Sequence, residues 1–325
     1  MSDEKLINDL VKAIKSKVKL DSVAVGTEDS FGVKDWVSTG VMALDWVMGG
    51  KGLPCGRLIS VYGDFSSGKS WFVYKVLSKA QKLGMIALLL ETEGSYSPDF
   101  VQSVGVDVNK LIVAKPDSVE QAFQVIDTVI QSSSLPVAIG WDSIAATPTE
   151  HELQEGMDVR DMTKPNKIGQ GLRILTNRVE KMNSLFVITN QVREKIGVMF
   201  GDKTFTPGGR AMEFHASLML RFNKREKITN DAKQVIGQVL RIECTKSKIC
   251  VPFRWVDLDY LFDTPIDVWT GMLGLLKRLG YVINDRGWNT LVGDNKKWRD
   301  SEFEEVLIEK KEYLDKVLSE MFGGM

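Results

Sequence analysis

The stretch GDFSSGKS, Gly63 to Ser70, limits the folds open to this chain more than any other feature. It fits G-x-x-x-x-G-K-[ST] and lies between an apolar run, RLISVYG, and a segment of helical spacing closed by Gly84. A strand that turns into a helix through such a loop aims several backbone amides at one point, and the helix N-terminus adds positive potential there. The result is a cradle for phosphates. Gly63, Asp64, Phe65, Ser66, Ser67 and Gly68 supply the wrapping backbone, Lys69 reaches the β and γ phosphates, Ser70 ligates Mg²⁺, and Trp71 follows on the helix.

The same reading sets the architecture. From Ser38 to about Asp259 buried strands alternate with helices, the rhythm of an α/β fold with a mostly parallel sheet. MIALLLE, PVAIGWD and SLFVITNQ join RLISVYG as buried strands, and SVEQAFQVIDTVIQ shows helical spacing behind the capping-box pair Ser118 and Gln121. Residues 3–19 read as a separate helix with Leu6, Leu10, Val11 and Ile14 on one side, followed by a polar connector containing Gly26 and Gly32. After Pro265 the texture changes to a helix through Leu279, a turn at NDRG and a charged helix near 302–321. Three parts are therefore expected: an N-terminal helical segment at 1–37, the α/β core at 38–262, and a small C-terminal α/β domain at 263–325.

A phosphate cradle that hydrolyses its ligand needs a second metal contact and a base for water. VAIGWDS ends an apolar strand in Asp142, placed to hold hydrated Mg²⁺. LLLETEG ends another in Glu91 and Glu93. Strand alternation puts both carboxylates on one face, so spacing does not choose between them. A different question is raised by KIGVMFGDKTFTPGGR, residues 195–210. Ile196, Val198, Met199 and Phe200 would suit a strand, yet glycines interrupt them and basic residues flank them.

Composition narrows the partners. An apolar content of 43% and a charged content of 26% are those of a globular chain, and the longest apolar run, Met85–Leu90, falls far short of the ~20 residues that span a bilayer. No membrane partner is expected. A net charge of −1 argues against coating duplex DNA by bulk charge but permits a focused basic groove. Cys55, Cys244 and Cys250 lack metal-ligand spacing and are expected to stay reduced in a cytoplasm. His151 and His215 are too few for histidine-based metal chemistry.

The segments STGVMALDWVMGGKGLPCGRLISVYGDFSSGKS, ETEGSYSPDF, WDSIAATP, NQVREKIGVMFG, TPGGRAMEFHAS and TKSKICVPF follow one another in the order seen in RecA-type recombinases. The chain resembles that family over nearly its whole length, most densely from Ser38 to Phe253. The resemblance implies a RecA-like P-loop NTPase core, with ATP and Mg²⁺ as cofactors and residues 1–37 as a polymerisation segment. It implies that Glu93, not Glu91, is the general base, that Gln191 senses the γ-phosphate, and that Phe100 packs near the adenine. Lys246 and Lys248 would reach a neighbouring subunit's ATP, with Phe214 at the same interface.

The resemblance also assigns the awkward loop. It matches the second DNA-binding loop of the family, whose apolar residues wedge between groups of stacked bases in stretched single strands. Its candidate DNA contacts are Arg193, Lys195, Ile196, Gly197, Val198, Met199, Phe200, Gly208, Gly209 and Arg210. Arg173 matches a further DNA contact, just beyond a first loop at Glu155–Lys167. Implied partners are single-stranded DNA, homologous duplex DNA, further copies of the chain in a helical filament, and single-strand-binding and loader proteins. Lys277, Arg278, Lys296, Lys297 and Arg299 mark a candidate duplex contact on the C-terminal domain. Two rival readings share the core: a ring-forming motor or helicase, and a single-strand coating protein that uses ATP as an assembly switch. Ser70 in place of Thr, Trp141 in place of a small aliphatic, Pro207, and an end without a strongly acidic tail depart from bacterial members. These departures point to a phage-encoded or otherwise divergent member.

Overall fold

The structure, a computed structural model, describes residues 3–19, 23–25, 32–156, 161–194, 204–205 and 210–323. It falls into two units, divided after Asp35. The first holds helix α1 (Asp3–Val18), with Asp3 and Glu4 in its first turn and Lys15 and Lys17 in its last, each favourable to the helix dipole. Leu6, Leu10 and Ile14 line this helix, and none of its residues is buried.

The second unit begins with β1 (Trp36–Val37), α2 (Met42–Val47) and β2 (Leu53–Pro54), where β1 and β2 pair. Alternation then sets in with β3 (Arg57–Gly63), α3 (Lys69–Lys82), β4 (Ile86–Glu91), α4 (Pro98–Ser103), β5 (Leu111–Ala114), α5 (Val119–Ser132), β6 (Val137–Asp142), α6 (Glu150–Glu155), α7 (Lys164–Lys181) and β7 (Leu185–Gln191). The short pair β8 (Arg193–Glu194) and β9 (Thr204–Phe205) follows, then α8 (Arg210–His215), β10 (Leu218–Thr229), β11 (Val235–Ser247) and β12 (Trp255–Leu261).

The main sheet has the order β12-β11-β10-β3-β7-β6-β4-β5. From β10 to β5 all neighbours are parallel, while β10, β11 and β12 form an antiparallel ladder at the other edge. The largely parallel sheet expected from the alternation is present. Period-two alternation divides the core between its faces. Ile59, Val61, Ala87, Leu89, Ala138, Leu185 and Val187 pack on the α3 side. Leu58, Leu88, Leu90, Ile139, Trp141, Phe186 and Ile188 pack under α5 and α7. Strands covered on both faces read as continuous apolar runs, which is why they were visible in the sequence.

Two glycines set how closely the layers approach. A Cβ on Gly140 would lie 2.4 Å from Val73 Cγ1, so α3 sits directly on β6. On the opposite face, a Cβ on Gly171 would meet the Phe123 ring at 2.4 Å, and that ring packs edge-on against Trp141 at 5.3 Å. Trp141 also donates Nε1–H to Thr147 Oγ1 at 3.2 Å. The large side chain beneath the site is thus accommodated by an absent one on α7.

Beyond Pro265 the chain adds α9 (Met272–Leu279), a sheet of β13 (Val282–Asp285), β14 (Trp288–Leu291) and β15 (Lys297–Trp298), then α10 (Phe303–Glu309) and α11 (Lys311–Gly323). NDRG closes the β13–β14 hairpin with Arg286 at φ +48° and Gly287 at φ +84°, the handedness a two-residue hairpin turn requires. The single charged helix expected near 302–321 is two helices, broken at Lys310. Leu275, Leu276, Trp298, Phe303 and Val317 join the same apolar cluster as the α3 side of the sheet. Among the described residues no helix is long and apolar enough to cross a membrane.

Candidate active site

Parallel strands place their carboxyl ends along one edge, and the register brings four candidate positions together there. Gly63 pairs with Gln191, and Glu91 pairs with Asp142. The loop from β3 to α3 curls over this edge. Gly63 takes φ +154°, and a Cβ there would lie 2.0 Å from the Phe222 carbonyl oxygen of β10. Gly68, at φ +85°, caps α3 where a Cβ would meet Leu240 Cδ1 at 2.7 Å. Glycine suits both positions, the first for space and the second for its left-handed backbone, and the loop they shape lines a cleft of about 240 Å³. Its walls are Phe65, Ser66, Ser67, Gly68, Lys69, Ser70, Trp71, Glu93, Phe100, Asp142, Gln191, Gln238, Tyr260 and Phe262.

Lys69 donates from Nζ to the carbonyls of Gly63 (3.1 Å) and Asp64 (2.6 Å). Burial lowers its pKa from the ordinary lysine value, against the pull of Asp142, Glu93 and Asp64 towards the charged form. An anion in the cradle would relieve that desolvation. Ser67 Oγ–H closes the loop on the Asp64 carbonyl at 2.8 Å.

Asp142, at the end of β6, is 3% exposed. Burial raises its pKa, while hydrogen bonds from Ser70 and Thr189 favour the carboxylate. Thr189 Oγ1–H donates to Oδ1 at 2.5 Å, whereas Oδ2 is buried without a hydrogen-bond partner. A buried carboxylate oxygen left unpaired is costly unless something positive meets it. The hard oxygen donors Ser70 and Asp142 therefore fit a hydrated Mg²⁺.

The structure separates Glu91 from Glu93. β4 ends at Glu91, so the alternation that would have aligned the two carboxylates stops between them. Glu91 is buried and structural: Oε1 accepts from the amides of Glu93 (3.1 Å) and Ser95 (2.9 Å), and Oε2 lies 3.8 Å from Lys115 Nζ. Glu93 turns into the cleft. Its Oε1 accepts from Ser143 Oγ at 2.5 Å and from Gln191 Nε2 at 2.8 Å.

The sequence matches the RecA N-terminal domain family over residues 5–267. Protein RecA of Chlorobaculum tepidum is 34% identical over 253 residues, covering 78% of this chain and 72% of that one. Protein RecA of Chloroherpeton thalassium is 30% identical over 297 residues, covering 90% and 83%. For Protein RecA of Mesomycoplasma hyopneumoniae the identity is 31% over 296 residues, covering 91% and 87%. The chain belongs to the RecA family. It is a RecA-type recombinase.

The remaining candidates of the RecA pattern lie away from the chain's own cleft. Lys246 Nζ donates to the carbonyls of Glu213 and Ala216, the latter at 3.0 Å, and Lys248 Nζ donates to the Phe214 carbonyl at 2.7 Å. The last turn of α8 thus holds both ammonium groups. Phe214 is 76% exposed beside them. Arg173, exposed on α7, shares a hollow of about 520 Å³ with Gly169, Gln170, Phe214 and His215. Burial lowers the pKa of His215, and Lys248, Arg173 and Lys246 add to the effect. This is a local concentration of positive charge on a chain whose net charge is −1.

Lys195, Ile196, Gly197, Val198, Met199, Phe200, Gly208 and Gly209 lie outside the described residues, as do 157–160 of the first loop. Of Arg193 and Arg210 the backbone alone is described, in β8 and at the start of α8. Where the first loop returns, Asp161 accepts from Thr149 Oγ1 (2.7 Å), Thr163 N (2.7 Å) and Thr163 Oγ1 (2.5 Å), and lies 3.1 Å from Lys167 Nζ. Lys164 donates to the Thr147 carbonyl at 2.6 Å. In the C-terminal part, Lys277 pairs with Asp300, Lys296 with Glu309, and the Arg278 guanidinium lies 3.8 Å from the Trp255 ring centre. These three of the five candidate basic residues thus have partners within the chain.

Three cleft residues and one buried beneath the cleft were missed in the sequence. Gln238 donates to the Ser66 carbonyl at 2.8 Å, and Tyr260 packs edge-on against Trp71 at 5.8 Å with Phe262 beyond it. Thr189 is the fourth. A threonine in an otherwise apolar buried strand, VITNQ, was the available signal for it.

Proposed function

We propose that the chain binds ATP and Mg²⁺ in this cleft, hydrolyses ATP when DNA is bound, and polymerises as a helical filament on single-stranded DNA that it pairs with homologous duplex. The hydrogen bond from Gln191 to Glu93 carries this reading. It ties the candidate base to the last residue of β7, from which the chain runs directly into the DNA-loop segment. A change at the phosphates that drew Gln191 away would release Glu93 and alter the loop in the same movement.

The family pattern and the geometry of the cleft support the following roles. Glu93 accepts the proton of the attacking water, held in orientation by Ser143. Lys69 exchanges its loop carbonyls for phosphate oxygens. Ser70 and Asp142 hold Mg²⁺, which, when bound, neutralises charge on the phosphates. Phe100 and Phe262 both line the cleft and give a flat base an aromatic wall. Lys246, half-buried, and Lys248, exposed, lie beside α8 and outside their own cleft, and act on the nucleotide of a neighbouring copy. The apolar side of α1 supplies a further contact between copies. Arg173 and the segment from Arg193 to Arg210 meet DNA.

Electron microscopy of the protein with single-stranded DNA and a slowly hydrolysed ATP analogue tests the assembly. An open helix is expected. Closed rings would instead mark a motor on the same core.

A further inference from the structure

Lys246 and Lys248 lie in the segment Cys244–Cys250, CTKSKIC, so the two cysteines bracket the residues assigned to act on a neighbouring nucleotide. Cys244 is buried at the end of the β10–β11–β12 ladder, where its amide donates to the Arg254 carbonyl at 2.8 Å and its carbonyl accepts from Phe253 at 2.6 Å. Cys250 sits in the turn that follows. The Ser247 hydroxyl anchors this turn, accepting from the amides of Ile249 (3.0 Å) and Cys250 (2.8 Å) and lying 3.1 Å from Cys250 Sγ. The Cys244 thiol donates to the Lys246 carbonyl at 3.3 Å, and its sulfur lies within reach of Cys250 Sγ.

The pair is asymmetric. Cys250 is half-buried and opens onto a cavity of about 620 Å³ lined by Trp36, Lys51 and Val251, through which a small solute can reach it. The bond from Cys244, then that from Ser247 and the charge of Arg254, pull its pKa down to about 6. Cys244 is held well above the ordinary thiol range by the same contact and by burial. A reactive thiolate beside a sheltered thiol is the arrangement that forms a disulfide in two steps.

We propose that Cys250 and Cys244 are a peroxide-reactive dithiol site. The Cys250 thiolate attacks a hydroperoxide, breaking the O–O bond to give the sulfenic acid and releasing hydroxide or alkoxide. The Cys244 thiol then attacks that sulfur, forming the S–S bond and releasing water. The protein loses two electrons and the peroxide gains them. The closed ring ties the turn after β11 back to Cys244 and pulls the Lys246 and Lys248 ammonium groups from their reach towards a neighbour. This last consequence rests on the function proposed above, whereas the chemistry of the pair does not.

The test treats the reduced full-length protein with hydrogen peroxide and maps it by trypsin and mass spectrometry without reduction. Ile242–Lys246 joined to Ile249–Arg254 is expected, with DNA-stimulated ATPase falling at least about tenfold, a fraction of what a cation supplied in trans contributes. Dithiothreitol should reverse both changes. Cys250→Ser and Cys244→Ser should each keep full activity when reduced and lose the response, and Cys55→Ser should keep it. Absence of the joined peptides overturns the site whatever the ATPase does. Joined peptides with unchanged DNA-stimulated turnover overturn the link to the lysines. If the reduced protein has no DNA-stimulated turnover, the failure lies with the proposed function, and the peptide map still decides the chemistry.

Discussion

At the scale of single residues, the decisive contrast is between Glu91 and Glu93. One is buried under backbone amides and the other faces the cleft beside Gln191. Glu93→Gln is expected to keep ATP binding and assembly but to slow hydrolysis roughly 10²–10⁴-fold, the worth of a general base. Glu91→Gln should lower thermal stability first and turnover less. Reversed phenotypes in a paired turnover and melting measurement would exchange the two assignments. Spacing in the sequence could not separate them, because the distinction depends on where β4 stops. Thr189 makes a second case. Thr189→Val keeps the shape but removes a hydrogen bond to the buried Asp142 carboxylate, a loss of about 1–3 kcal/mol. Titrating Mg²⁺ against binding of a fluorescent nucleotide should show half-saturation moved to higher Mg²⁺, with Thr189→Ser restoring it. An unchanged Mg²⁺ requirement would make Thr189 a packing residue only.

At the scale of elements, the site depends on how tightly α3 seats on β6. Gly140→Ala places a methyl group 2.4 Å from Val73 Cγ1 and 3.4 Å from Leu77 Cδ1, and overpacking of this kind costs typically ~1–3 kcal/mol. Because Lys69 and Ser70 open α3, nucleotide affinity should fall together with the melting temperature. A melting curve identical to that of the parent protein would show that the helix has room to move. The phosphate loop, the buried strands and α3 were legible because their signals are local: a contiguous motif, continuous apolar runs, helical spacing. Tyr260, Phe262 and Gln238 were not. They arrive from the β11–β12 hairpin, whose register brings Gln238 opposite Tyr260 and both over a loop formed far earlier in the chain. The capping box at α5 shows a smaller limit of the same kind. Ser118 accepts from the Gln121 amide, but Gln121 Oε1 turns to the amide of Asp117, one residue before the position the motif names.

At the scale of the whole molecule, two candidate residues stand apart from the cleft they would serve. Lys246 and Lys248 lie outside the chain's own nucleotide cleft and are held at α8 beside an exposed Phe214. Lys248→Ala should therefore lose DNA-stimulated hydrolysis while retaining nucleotide binding. Mixed with Lys69→Ala, it should recover part of the activity at interfaces where an intact cleft meets an intact lysine, and no recovery at any mixing ratio would place the lysine's role within one subunit. The assembly itself was legible only through the family pattern, since no single element of the chain reveals what its exposed face meets. The central claim, that this ATPase core serves homologous pairing, is tested most directly by strand exchange between single-stranded DNA and a labelled homologous duplex. With ATP and Mg²⁺ the account predicts heteroduplex product from the intact protein and none from Lys69→Ala or with an unrelated duplex. Intact protein that binds single strands and hydrolyses ATP, yet forms no heteroduplex, would contradict it.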